Sequence, residues 1–252
     1  MRPTILAAAQ SASVPKDVRT NLAQHLIFAR LAAEHSVSLL LFPELSLTGY
    51  ELAFLAAGIV DPEDAVLFPI RDLSQQANMT VVIGAPVASE ASSKPSIGAI
   101  CFHPDGTLST YRKRILHAGE EEFAVAGTVN AHVLNSNGQH VSLAICADTG
   151  SYEHPRWAKD AGATVYAAGV LWGESGYEAD ASLVEAHCVR HGFAGLVANH
   201  ARPTGGFQSA GRSAFWTPSG KLLCTAPPDK LALLVATGAG NDWACNCTTI
   251  DA

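Results

Sequence analysis

Residues 141–171, VSLAICADTGSYEHPRWAKDAGATVYAAGVL, read as strand, helix, strand. Val141 to Cys146 is a buried strand, Glu153 to Ala161 a helix and Ala163 to Leu171 a second buried strand. Ala179 to His191 then adds a helix and Ala194 to Asn199 a strand, so the two element types alternate. Toward the N-terminus the same alternation begins with a strand over Thr4 to Ala9. The helix Val18 to Glu34 follows, with Leu22, Leu26, Ala29 and Ala33 at helical spacing. A strand over Ser38 to Phe42 closes at Pro43, a helix runs from Asp61-Pro62 to Ala77, and Thr80 to Pro86 is another buried strand.

Hairpins interrupt this alternation. Gly98 to His103 turns at Pro104-Asp105-Gly106 into Leu108 to Leu116, and Ser213 to Thr217 turns at Pro218-Ser219-Gly220 into Lys221 to Cys224. Parallel units mixed with hairpins predict a mixed sheet with helices on one face and its other face buried against a second sheet. The chain of 252 residues is expected to form one domain over 1–252, with a C-terminal tail from about 236.

Composition narrows the partners. The chain is 48% hydrophobic and 15% charged, and Lys+Arg 16 against Asp+Glu 23 leaves a net charge of −7. That balance repels phosphate backbones and anionic lipid, so neither nucleic acid nor membrane is expected as a partner. MRPTILAAAQ holds too short an apolar run for a secretory signal, and no segment reaches the ~18 apolar residues of a membrane span. A cytoplasmic location follows as the expectation. Cys101, Cys146, Cys188, Cys224, Cys245 and Cys247 then read as buried apolar side chains, with one reactive thiol among them. Cys245-Asn246-Cys247 lacks a second Cys/His pair at ligand spacing, so it reads as tail and no metal site is expected.

Three positions carry chemistry. Cys146 ends a buried strand, where α/β folds place ligands, and a helix starting near Glu153 is expected to lower its thiol pKa. Glu44, in Phe42-Pro43-Glu44-Leu45, also follows a strand, where burial would raise its pKa into the range of a general base. In Tyr111-Arg112-Lys113-Arg114-Ile115-Leu116, alternation puts Lys113 on a face with Tyr111 and Ile115, as an inward ammonium able to hold an oxyanion.

Together, Phe42-Pro43-Glu44 to Gly49-Tyr50, Tyr111-Arg112-Lys113 to Leu116, and Ile145-Cys146-Ala147-Asp148 resemble the nitrilase (carbon-nitrogen hydrolase) superfamily, over residues 4 to about 235. The resemblance extends to Asn199-His200 and to Gly211-Arg212-Ser213 through Pro218-Ser219-Gly220. It implies a four-layer αββα sandwich, two mixed sheets flanked by helices, commonly paired into a homodimer, with no cofactor. It also implies a Glu-Lys-Cys triad: Glu44 as general base, Lys113 as stabiliser of the tetrahedral intermediate and Cys146 as nucleophile. The Ala147 N–H would share the oxyanion. A second glutamate falls within Glu120-Glu121-Glu122, with Glu120 favoured by counting back from Gly127. Glu153 stands as a helix N-terminal acid or a partner for Lys113, and Tyr50 and Trp172 as substrate-lining residues.

The implied reaction is cysteine-dependent hydrolysis of a small amide by water through a thioester. Relatives acting on acidic substrates carry an arginine just beyond the cysteine motif, where Thr149 and Gly150 stand here, so a neutral amide is preferred. Arg114, Arg190 and Arg202 are the possible substitutes. A noncatalytic amide-binding scaffold, an acyltransferase and a nitrilase using the same triad are the alternatives. A papain-like enzyme lacks its local signature here, and Gly173-Glu174-Ser175-Gly176 has the wrong spacing for a serine nucleophile.

Overall fold

In the computed structural model, which describes residues 3–89, 91–239 and 242–250, two sheets lie face to face. The expectations at Met1, Arg2, Asp251 and Ala252 lie outside the described residues. The first half of the chain supplies β1 (Thr4–Gln10), α1 (Val18–Glu34), β2 (Leu39–Leu41), α2 (Phe68–Gln76), β3 (Thr80–Val87), β4 (Ser96–Phe102) and β5 (Leu108–Arg112). β6 (His132–Ser136), β7 (Gln139–Ile145), α3 (Glu153–Asp160), β8 (Val165–Val170), α4 (Tyr177–His191) and β9 (Ala194–Asn199) follow. β10 (Ala214–Trp216), β11 (Leu222–Thr225), β12 (Leu231–Ala239) and β13 (Asp242–Ile250) complete the chain. One sheet has the order β13-β12-β1-β2-β3-β4-β5 and the other β11-β10-β9-β8-β7-β6. Both are mixed: β1, β2 and β3 run parallel in one, β7, β8 and β9 in the other, with antiparallel strands outside them. This is the expected arrangement of two mixed sheets between helices.

Period-two alternation builds the layers. Along β1, Leu6 and Ala8 face the inter-sheet core with Leu39, Leu41, Val82, Leu143 and Ile145. Ala7 and Ala9 turn the other way, with Leu40, Val81 and Ile83, onto Leu22, Phe28 and Ala29 of α1 and Ile70 of α2. An Asp17 cap on the Thr20 N–H starts α1.

Four expectations need correcting. The helix foreseen from Asp61 begins at Phe68, with Pro69 in its first turn, because the side chains of Asp61 and Asp64 accept the N–H groups of Glu63 and Val66 and hold turns there. β5 stops at Arg112 rather than Leu116, because the Arg114 and Ile115 N–H groups leave the ladder for Asp148 Oδ1 at 3.1 and 2.8 Å. Residues 236–239 and 242–250 are no tail: β12 pairs with β1, Leu6 opposite Ala236, and β13 pairs with β12. Finally, Cys224 and Cys245 form a disulfide joining β11 of one sheet to β13 of the other, which departs from the reading of six reduced thiols. Cys101 and Cys188 are buried as expected, and burial pushes both thiols up to about 12.

Candidate active site

Glu44 follows β2 in a segment squeezed between the sheets. A Cβ at Gly84 of β3 would lie 2.3 Å from the Pro43 carbonyl oxygen, and one at Gly169 of β8 2.6 Å from that of Phe42. Glycine at these two positions is what lets the Glu44 backbone pass between the sheets. Leu45 takes φ +51° there, and the Glu44 carbonyl accepts a 2.7 Å hydrogen bond from His200 Nε2. On the helix side, neutral His25 donates from Nδ1 to the Asn21 carbonyl at 2.6 Å and accepts at Nε2 from the Ser46 hydroxyl at 2.9 Å. Burial holds both His25 and His200 down at about 4.

Lys113 comes directly after β5, fully buried, and its Nζ donates to Glu44 Oε1 and to Glu120 Oε1, each at 2.7 Å. Glu120 Oε1 also accepts from the Tyr50 hydroxyl at 2.6 Å, while its Oε2 accepts the His117 N–H at 2.8 Å. Glu44 Oε2 accepts no hydrogen bond from the described residues. Desolvation raises Glu44 to about 7 against the pull of Lys113, and the neighbouring Glu120 adds to the rise. Burial works against the Lys113 ammonium, yet Glu44, Cys146 and Glu120 outweigh it and hold it above its ordinary range.

Cys146 opens a 3-10 turn over residues 146–150 with φ +42°, a left-handed conformation uncommon for a side chain of its kind. Asp148 holds that turn. Its Oδ2 accepts the Ile145 N–H at 2.9 Å and the Tyr111 hydroxyl at 2.7 Å, while its Oδ1 accepts from the two residues beyond Lys113. One buried carboxylate thus ties the cysteine turn to the lysine segment. Since Tyr111 gives its proton to Asp148, His154 Nε2 donates to the Tyr111 oxygen at 2.8 Å, and its Nδ1 accepts from Tyr166.

Burial, reinforced by Glu44, pushes the Cys146 thiol well above its ordinary pKa, outweighing Lys113. The expected lowering by the helix near Glu153 is therefore corrected: the resting group is a neutral thiol that needs a base. Two cavities meet at its sulfur. The first, about 530 Å³, is lined by Glu44, Tyr50, Leu52, Phe123, Leu171 and Phe207 among others. The second, about 630 Å³, has Ala147, Thr149, Trp172 and Asp180 in its wall. His117, Ala118, Cys146 and Leu171 line both.

Sequence-predicted Glu44, Lys113, Glu120, Tyr50 and Cys146 therefore converge, with Ala147 and Trp172 beside them on the second cavity. Trp172 is otherwise a core residue, buried against Tyr177, with its backbone N–H on Asn199 Oδ1. Glu121 is exposed and accepts from the Gly119 N–H, whereas exposed Glu122 reaches the rim of the first cavity. Glu153 is exposed at the start of α3, and Lys113 pairs with Glu44 and Glu120 instead. Arg114 stacks over Trp157, Arg190 over Tyr152, and Arg202 bonds the Asp229 carbonyl; none lines either cavity. Among the described residues no set of His, Cys, Asp and Glu could hold a metal ion, and no helix is long and apolar enough to cross a membrane. Sequence reasoning missed His117, Asp148 as a clamp, and Phe207. The Asp two residues after the cysteine was a visible signal for the clamp; nothing local marks the other two.

The carbon-nitrogen hydrolase family model matches residues 5–242. No curated protein matches the chain in sequence. Among solved structures it is similar to an amidase from Nesterenkonia sp. AN1. A double mutant of that amidase in complex with acrylamide is 26% identical, covering 95% of this chain and 92% of that chain, at TM-score 0.85. A mutant in complex with butyramide is 26% identical over 94% of this chain and 91% of that one, at TM-score 0.83. A third, 27% identical over 94% and 90% at TM-score 0.83, carries the acetamide moiety of fluoroacetamide on its active-site cysteine.

Proposed function

Because the chain belongs to the carbon-nitrogen hydrolase family, we propose that it is an amidase converting a small uncharged amide into a carboxylic acid and ammonia through a thioester on Cys146. The observation that carries this reading is the buried cluster beside the Cys146 sulfur: Lys113 Nζ at 2.7 Å from both Glu44 and Glu120, with one Glu44 oxygen free. Cys146 attacks the amide carbon as Glu44 takes the thiol proton at Oε2. Lys113 and the Ala147 N–H hold the oxyanion, a preorganised environment of the kind that lowers acyl-transfer barriers most. Glu44 then protonates the departing ammonia, and in the second half it deprotonates the water that cleaves the thioester. Glu120 and Tyr50 keep Lys113 aimed.

Substrate choice is supported by what lines the cavities. Among the described residues no Arg lines either cavity, and Lys113 beneath them is already shared by Glu44 and Glu120, so a substrate carboxylate would meet Glu44 and Glu122 without a counter-ion of its own. The relative's acrylamide and butyramide complexes point to the same kind of ligand. The homodimer belongs to this reading too: Tyr152 before α3 and Val189 on α4 are exposed apolar side chains for a second copy to cover. Light scattering on the purified protein reads its mass. So does the cytoplasmic location, which fractionation of producing cells tests.

The deciding experiment is ammonia release from a panel of neutral, acidic and aromatic amides and a few nitriles, native beside Cys146→Ala. Release by the native protein alone, strongest with neutral amides, is the expected result. Equal release by both removes Cys146 as nucleophile, and silence from both ends the amidase reading in favour of a binding protein.

A further inference from the structure

Asn199 closes β9 and His200 follows it, both fully buried. The Asn199 side chain accepts the Trp172 backbone N–H at 3.0 Å and donates to the Trp172 and Gly211 carbonyls at 3.1 and 2.7 Å. It thereby fixes the Leu171-Trp172 segment, whose Leu171 carbonyl accepts from the Cys146 thiol at 3.8 Å. The next side chain, His200, donates from Nε2 to the Glu44 carbonyl at 2.7 Å. Its own backbone is held on both sides, the N–H by Asn199 Oδ1 at 2.9 Å and the carbonyl by the Ser209 hydroxyl at 2.6 Å. Two adjacent residues thus tie the peptide of Glu44 to the segment beside the sulfur.

Glu44 needs such an anchor. Residues 43–46 form a turn, with the Ser46 N–H on the Pro43 carbonyl at 3.2 Å and Leu45 at φ +51°. Ser13 holds that turn by donating to the Ser46 carbonyl at 2.8 Å, and His25 by accepting from the Ser46 hydroxyl at 2.9 Å. Those bonds act two residues beyond Glu44, whereas His200 acts on the Glu44 peptide itself, where a buried carbonyl left without a donor is costly. The donor also has to be uncharged. A Lys or Arg would add a second cation near a carboxylate that already faces Lys113, and would favour its ionised form over the proton uptake a general base requires. Burial keeps the His200 ring neutral, so it supplies a hydrogen bond and no charge.

We propose that His200 is a positioning residue for the reaction: by pinning the Glu44 peptide to the Asn199 anchor that also holds the segment beside Cys146, it sets the reach of the general base to the nucleophile. The proposal rests on the amidase reading and adds a residue that lines neither cavity. Proton transfer from the thiol to Oε2 needs hydrogen-bond reach, and a misplacement of about 1 Å costs about 10²-fold in rate.

The test compares His200→Gln, whose amide donates from nearly the same place without charge, with His200→Met, of the same length but with no donor. Rates are taken per titratable Cys146 thiol. On the amide that releases most ammonia, His200→Met should lose about 10²-fold in kcat with KM within a few-fold of native. The acid limb of its kcat/KM profile should move to lower pH as the loosened Glu44 gains water. His200→Gln should recover all but a few-fold of the rate and keep the native limb. Labelling of Cys146 by iodoacetamide at neutral pH, read by mass spectrometry, should slow in His200→Met and not in His200→Gln. Ser209→Ala, which frees the His200 carbonyl, should show the same signature at smaller size, and decides the matter if His200→Met does not fold. Equal losses in the Gln and Met variants, or a loss with the acid limb unmoved, mark a structural role and overturn the proposal, as does native behaviour of His200→Met. Native protein that cleaves no amide removes the amidase reading; the labelling rates then decide the positioning alone, upheld by slowing in His200→Met only and overturned by equal rates.

Discussion

The floor of the site and its rim are built differently. At the floor, Glu44, Lys113, Glu120 and Asp148 are all buried, and Asp148 alone accepts four hydrogen bonds from two stretches of chain, 111–115 and Ile145. At the rim, Phe207 is 55% exposed and touches Tyr50 edge-on, and His117, Glu121 and Glu122 reach solvent. The floor is over-determined: to move one group, several buried polar atoms would lose their partners at once. The rim is held by few contacts and is free to differ in shape without disturbing the charges beneath it. Reaction class is thus a property of the floor and substrate preference a property of the rim.

Substitutions can break that division. The largest effect belongs to Cys146→Ala, which should drop amide turnover by about 10⁶-fold, to background, with an unchanged melting temperature; ammonia release and thermal unfolding read the two. Lys113→Met leaves two carboxylates facing each other in the interior, and should cost about 3–5 kcal/mol in denaturant unfolding.

Acid should weaken the fold through the two histidines that support the Glu44 segment. His25 and His200 are held at about 4 by burial, against about 6.5 in an unfolded chain. Between those values the unfolded state binds more protons. The stability they contribute is therefore complete above pH 6.5 and is lost as the pH falls toward 4, by about 3 kcal/mol for each. Glu44, raised to about 7, acts in the opposite sense, favouring the folded state below its unfolded value and less so as the pH rises to 7. Two histidines outweigh one carboxylate, so unfolding curves from pH 7 to 4 should show a net loss. The slope should flatten in His25→Asn relative to native.

Gly84→Ala sharpens the comparison further. Its Cβ would press on backbone rather than on a flexible side chain, so a cost of about 1–3 kcal/mol is expected, together with lower kcat as Glu44 shifts. The smallest effect falls at the rim: Phe207→Ala should change stability by less than about 0.5 kcal/mol. Its signature is a raised KM for bulky acyl groups at nearly constant kcat. A large stability loss there would erase the distinction between floor and rim.

Much of this was legible along the chain. Buried strands such as Thr80–Val87 show as unbroken apolar runs, and the motifs around Glu44, Lys113 and Cys146 are local strings with a family likeness. Within the run of three glutamates the distance back to Gly127 favours Glu120 but the count from Lys113 leaves Glu121 open, and it is the fold that puts Glu120 on Lys113. β13 was not legible, because Asp242 to Ile250 alternates half-buried and exposed positions with polar residues on the open side, and its strand identity comes from the β12 edge it completes. The Cys224–Cys245 bond was hidden for the same reason, its partners lying on different sheets.

The sequence by itself determined the layers and the residue types of the reaction, because hydrophobic period and short motifs act over neighbours in the chain. Only the tertiary structure decided the charge states: Glu44 raised, Cys146 neutral, His25 and His200 uncharged. It also decided that His117 reaches the sulfur. Desolvation and Coulomb interaction depend on distances between segments far apart in the chain, and those distances exist only once the two sheets have closed on one another.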